Sequence, residues 1–214
     1  AVRSPIGAFG GSLADMDPCD LGGIVMKEAI ARSSVDPKQI NYVTVGTTMP
    51  VDSRYAYVSR VASIQAGLSM DSVAMQVSRL CASGLQAIVT TAQNIMLGDA
   101  DYGIGGGVEV MSKVAYLMPA LRSGARMGDA KAIDAMVAVL TDPFGVGHMG
   151  ITAENLAAKH GFTREDQDAF AVESQRRAAA AIDAGHFKSQ ILPIVKQTRK
   201  GDVVFDTDEH LKRG

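Results

Sequence analysis

The chain has 214 residues, 47% of them hydrophobic, enough to bury a core in one large domain or two small ones and to set aside disordered and fibrous classes. Lysine and arginine number 21 against 23 aspartates and glutamates, and the net charge of -2 gives no pull toward nucleic acid or an anionic membrane surface. Small metabolites are the expected partners.

Asp17 is placed to cap a helix whose first residue is Pro18, with Leu21, Ile24, Val25 and Glu28 at helical spacing until a break at residues 33–37. Residues 42–45 are a short apolar run, read as a strand. Residues 54–66 put Val58, Val61, Ala62 and Gln65 on one face of a helix that ends before Gly67. Residues 73–78 alternate, with Val73, Met75 and Val77 on one side, which predicts a strand. From Ser83, the positions Leu85, Ile88, Val89, Ala92, Ile95 and Met96 hold helical spacing up to Gly98 and predict a buried helix. Residues 101–105 read as another short strand, so the first half alternates strands and helices as an α/β sheet domain does. The run Gly105, Gly106, Gly107 does not match GxGxxG, and no helix pattern follows it directly. It is expected to be a tight turn and not a nucleotide site.

After these glycines the periodicity fails. Residues 111–150 are rich in methionine and are interrupted around Pro119, Gly124 and Pro143, as a long excursion from the sheet would be. Thr152 is read as the cap of a short helix to His160. Thr163 with Asp166 resembles a capping box that opens a longer helix to Ala184, closed by Gly185. Residues 191–195 and 203–205 are strand-like and flank a turn at 199–202.

Cys19 and Cys81 are far apart and fit neither a disulfide framework nor a CxxC metal pattern, which suits a reducing, cytoplasmic location. No bound metal or tightly held cofactor is expected. The longest uncharged stretch, residues 80–98, contains Ser, Thr, Gln and Asn and does not read as membrane-spanning. No signal peptide is visible, although a chain beginning at Ala1 without Met could have had a targeting segment before it.

Cys81 lies between the strand ending near Ser78 and the helix beginning near Ser83. A thiolate there would face backbone N–H groups and the positive end of the helix dipole, which favour the nucleophilic form. The small residues Ala82, Ser83 and Gly84 leave room for an extended thioester to approach. From position alone, a buried structural cysteine is an equal reading.

The string VSRLCASGLQAI at residues 77–88 resembles the active-site signature of the thiolase family, in which the cysteine carries the acyl group. It is joined in family order by RSPIGAFGGSL at 3–13, GIGGGVEVMS at 103–112, HMGITAEN at 148–155 and RKGDVVFDTDEH at 199–210. The resemblance therefore runs over the whole chain and is nearest to the acetyl-CoA acetyltransferase and β-ketothiolase branch. It implies a layered αβαβα sandwich, with residues 1–112 as an incomplete N-terminal sheet domain lacking its first strand. Residues 113–214 would be the loop domain that covers CoA, incomplete at its end.

The reaction it implies forms or cleaves 3-ketoacyl-CoA through a Cys81 acyl-enzyme, with acetyl-CoA, acyl-CoA and CoA as substrates. Negative charge develops on a thioester oxygen in each half-reaction, so donors must surround both oxygens, and the Cys81 N–H is one candidate. The family's activating histidine, second cysteine and asparagine lie in Gly-His-Pro, Cys-x-Gly and Asn-Glu-Ala motifs, and none of these occurs here. The 214 residues alone are expected to be inactive.

By the same resemblance, His148 and Met149 line the pantetheine and acyl pocket, and Leu140 contacts pantetheine. Lys212 stands where relatives place an arginine on the CoA adenine, keeping the charge but not the planar stacking surface. Cys19 is read as structural, and His160, His186 and His210 receive no role. The resemblance also implies a homodimer or homotetramer, with Tyr116, Leu117 and Met118 in an interface and with apolar surface left exposed on the chain as given. Two other readings compete with this one. One is a non-catalytic thiolase-like chain that binds acyl-CoA or a partner. The other is a ketoacyl-synthase relative, which would leave the HMGITAEN and RKGD strings unexplained.

Overall fold

Asp17 caps the first helix as its position predicts. Its carboxylate accepts the backbone N–H groups of Cys19 and Asp20 at 2.7 and 3.4 Å, and helix α1 runs Pro18–Ser33 to a left-handed Ser34. The structure, a computed structural model, describes residues 1–199 and 201–211. Strand β1 (Ile40–Gly46), helix α2 (Val58–Gln65), strand β2 (Val73–Val77), helix α3 (Ser83–Leu97) and strand β3 (Tyr102–Gly107) follow. Helix α2 begins later than expected because Tyr55–Tyr57 winds as a tighter 3-10 turn.

The three strands are parallel, in the order β2-β1-β3. The chain steps from β1 to β2 through α2, then back past β1 to β3 through α3. Because the direction reverses, right-handed crossovers must put α2 and α3 on opposite faces of the sheet. The pleat agrees with this. Val43 and Val45 join Cys19, Met26, Ile30, Val58 and Ala62 in one core, while Thr44, on the other face, accepts a hydrogen bond from Thr91 of α3 at 2.9 Å. Fully burying a side chain such as Val43 or Val58 stabilises the fold by roughly 1.5–3 kcal/mol.

Gly105, Gly106 and Gly107 lie inside β3 and not in the expected tight turn. Helix α3 crosses directly over them. A Cβ on Gly105 would stand 2.7 Å from the Ile88 Cα, and one on Gly103 would stand 2.4 Å from Thr91 Cγ2. Absence of a side chain is what lets helix and sheet backbones meet, a use of glycine that spacing alone does not separate from a turn.

This close approach also decides what α3 buries. Its buried residues are Ser83, Ala87 and Thr91, whereas Leu85, Ile88, Val89, Ile95 and Met96 are exposed, Met96 to 85%. The expectation of a buried helix is corrected accordingly: the small side chains are buried against the sheet and most of the apolar stripe is left exposed.

The chain falls into two compact units, one formed by Ala1–Val114 with Gln190–Thr207 and the other built on Ala115–Ser189. In the second, β4 (Tyr116–Leu117) pairs antiparallel with β5 (Ile133–Asp134), and Asp134 caps the short helix α4 (Ala135–Val139). Helix α5 (Met149–His160) starts three residues before the expected cap at Thr152. Helix α6 (Arg164–Asp183) opens on the capping box read from Thr163 and Asp166, with both reciprocal bonds made.

In the first unit, β6 (Ile194–Thr198) and β7 (Gly201–Phe205) form an antiparallel hairpin. Ile194 and Phe205 pack with Leu13, Leu21 and Val110 in a second core. Among the described residues, no helix is long and apolar enough to cross a membrane.

Candidate active site

Cys81 sits in the turn that joins the carboxyl end of β2 to α3, and it is exposed. The residue before it, Leu80, has a left-handed backbone with φ 49°, a conformation that costs a bulky residue energy and persists only when its surroundings enforce it. Ser83 supplies the enforcement. Its hydroxyl accepts the Arg79 N–H at 2.8 Å and donates to the Leu80 carbonyl at 2.6 Å. The N–H groups of Ala82 and Ser83 are used within the turn, on the Arg79 and Leu80 carbonyls at 3.1 and 3.0 Å. No side chain caps the first turn of α3, and Gly84 adds no bulk beside it.

The turn is tied to the neighbouring strand ends. Thr48 Oγ1, just beyond β1, lies 3.4 Å from both the Leu80 carbonyl oxygen and Ser83 Oγ. The Thr48 N–H donates to Glu109 Oε2 at 2.8 Å, and the Met49 N–H to Glu109 Oε1 at 3.2 Å. The Thr47 hydroxyl reaches the same Oε1 at 3.4 Å, and the Thr47 N–H donates to the Val77 carbonyl at 3.2 Å. The carboxyl ends of β1, β2 and β3 are thereby joined around one carboxylate, at the edge where parallel sheets hold ligands.

Glu109 as a residue is exposed, but the strand ends partly desolvate its carboxyl and raise its pKa above the ordinary carboxylate value, an effect only partly offset by these donors. The pKa of Tyr55 is raised too, by burial first and then by the Glu109 charge. Glu109 was not singled out from the sequence. The available signal was its position as the lone charged residue of residues 102–112, just after a strand.

Cys19 is structural, as expected. It is 1% exposed in the core under α1, and burial followed by the neighbouring Asp17 charge pushes its pKa up to about 11.

Cys81 belongs to the first unit, while Leu140, His148 and Met149 belong to the second and meet there. Leu140 ends α4, and its carbonyl accepts the Met149 N–H at 2.8 Å; Thr141 pairs with His148. His148 is the N-cap of α5, its Nδ1 accepting the Gly150 N–H at 3.1 Å, and Met149 is the first residue of that helix. Lys212 lies outside the described residues.

Comparison with known proteins finds a family model described as "Thiolase, N-terminal domain" matching residues 1–214. The chain is 52% identical over 211 residues to the beta-ketothiolase BktB of Cupriavidus necator, covering 99% of the chain and 54% of that protein. Its fold is similar to that of acetyl-CoA acetyltransferase from Syntrophomonas wolfei, with a TM-score of 0.93 and 42% identity over 100% of the chain and 53% of that structure. It is also similar to human mitochondrial 3-ketoacyl-CoA thiolase in complex with CoA, with a TM-score of 0.91 and 36% identity over 98% of the chain and 52% of that structure. The chain thus spans about half the length of the relatives it matches.

Proposed function

The chain belongs to the thiolase family, and from that membership we propose that it carries the nucleophile of an enzyme that forms or cleaves 3-ketoacyl-CoA through an acyl group on Cys81. The observation that carries this reading is an exposed thiol held at a strand-to-helix turn by a strained Leu80 and a buried Ser83 clasp. Such a turn presents the sulfur and the Cys81 N–H to the same incoming carbonyl.

In the synthetic direction, the Cys81 sulfur attacks the carbonyl carbon of an acyl-CoA. The new sulfur–carbon bond forms, the bond to the CoA sulfur breaks, and CoA leaves with the proton that Cys81 gave up. A base then removes a methyl proton from acetyl-CoA, and the resulting carbanion attacks the acyl carbon on Cys81. The carbon–carbon bond forms, the Cys81–acyl bond breaks, and the sulfur recovers a proton. Thiolysis runs the same steps backward. We assign the Cys81 N–H as one donor to the thioester oxygen, and His148, Met149 and Leu140 as contacts for the pantetheine and acyl chain.

The base and second cysteine that the family resemblance calls for lie in motifs not found in these 214 residues, so the proposed cycle needs further residues of a longer protein. We read residues 1–112 as sheet domain, which the β6–β7 hairpin rejoins, and the rest of 113–214 as the domain over CoA, in a cytoplasmic homodimer or homotetramer. Exposed Tyr116, Leu117 and Met118, with the apolar stripe of α3, support an assembly that covers them.

The test uses the full-length protein carrying this chain. Incubation with acetyl-CoA, followed by acid quench and peptide mass analysis, is expected to find an acetyl group on Cys81. Residues 1–214 alone are expected to leave acetoacetyl-CoA and CoA unchanged. Thiolysis that continues after Cys81→Ser in the full-length protein would sink the proposal.

A further inference from the structure

We propose that Glu109 is a positioning residue for the Cys81 turn, acting through Thr48 and Ser83; this rests on the reading of Cys81 as the acyl acceptor. Glu109 does not touch the cysteine. Its two carboxylate oxygens collect three donors, all from residues 47–49, where the chain leaves β1. That segment would otherwise be a loop end with its own freedom. Thr48 is bonded at both ends: its backbone N–H is fixed on Glu109, and its hydroxyl reaches the Leu80 carbonyl and Ser83 Oγ.

The turn is therefore gripped from two sides. Ser83 holds it from the helix, and Thr48 holds it from the sheet. Leu80 is left-handed immediately before the cysteine, so small relaxations of its carbonyl would re-aim the Cys81 sulfur. An apolar side chain at this position would not anchor the Thr48 and Met49 N–H groups in one orientation.

The experiment compares wild type, Glu109→Ala, Glu109→Gln, Thr48→Val and the double variant Glu109→Ala/Thr48→Val in the full-length protein. The rate of Cys81 acetylation by acetyl-CoA is read by mass analysis, and kcat and KM for acetoacetyl-CoA thiolysis are read in parallel. Glu109→Ala is expected to slow acetylation and lower kcat by about tenfold to a hundredfold, as small misplacements of a reacting group do. KM for acetoacetyl-CoA should move by less than about twofold, because the proposed pantetheine contacts are made by other residues. Thr48→Val should fall in the same direction. The double variant should be no worse than Glu109→Ala, since both break one relay. Glu109→Gln keeps one acceptor and should recover part of the rate.

A wild type that is never acetylated overturns the reading of Cys81, and the positioning role with it. A wild type that is acetylated, with Glu109→Ala reacting at the same rate, overturns the positioning role alone. So does a Glu109→Ala protein that fails to fold while Thr48→Val reacts like wild type.

Discussion

Gly46 lies so close beneath Ser83 that a Cβ built on Gly46 would stand 2.4 Å from the Ser83 carbonyl carbon and 2.5 Å from its oxygen. The end of β1 and the start of α3 are thus in backbone contact one turn from Cys81, and the contact exists because position 46 has no side chain.

Gly46→Ala is therefore expected to destabilise the protein by about 1–3 kcal/mol or more, because the atoms it meets are backbone and cannot swing aside. The helix start should move with it, so the reactivity of Cys81 should change as well. Gly106→Ala is the control: its Cβ would meet nothing within 4 Å, and its effect should stay within about 0.5 kcal/mol. Urea unfolding of the two variants checks this. Equal losses would show that glycine content matters and close approach does not.

The two thiols should be separable by a reagent. Cys81 is exposed, whereas Cys19 is buried with its pKa pushed up to about 11, so iodoacetamide at pH 8 should label Cys81 and spare Cys19 until the first unit opens. The same shift bears on alkaline stability. An unfolded chain ionises Cys19 near pH 9 and the folded one near 11. The stability this gives is complete below about pH 9 and is lost as pH rises toward 11. The amount at stake is roughly 2–3 kcal/mol. Cys19→Ala should flatten the fall of Tm over that interval while lowering Tm at neutral pH through the cavity it leaves. Equal labelling of both cysteines in the folded protein would contradict this picture of the core.

What could be read from the sequence was mostly what is local. Asp17 before Pro18, and Thr163 with Asp166, announce helix starts because a cap bonds within three residues of itself. Cys81 could be placed at a strand-to-helix turn because alternation gives way to helical spacing within a few residues. The glycine run was misread because its reason lies across the sheet, in the backbone of Ile88 and Ala87. The apolar stripe of α3 was read as buried because periodicity shows which residues share a face, not which face meets the sheet. The Glu109 clasp draws on residues 47–49, 77, 80, 83 and 109, and no window of sequence holds them together.

His148 was read for substrate contact alone, yet it also starts a helix, and the two roles can be pulled apart. Its Nδ1 accepts the Gly150 N–H at 3.1 Å; in the neutral ring the proton then sits on Nε2, which keeps a donor for a thioester group. Asparagine is among the best N-cap residues but has no second ring donor, while alanine provides neither function. His148→Ala should cost about 0.5–2 kcal/mol of stability, and His148→Asn should restore most of it. Both should raise KM for acyl-CoA in the full-length protein, by about threefold to thirtyfold, if the proposed pocket contact is made. Stability comes from thermal unfolding and KM from thiolysis rates with varied acetoacetyl-CoA. A His148→Asn protein with wild-type KM would leave His148 as a cap and remove it from the acyl-CoA site.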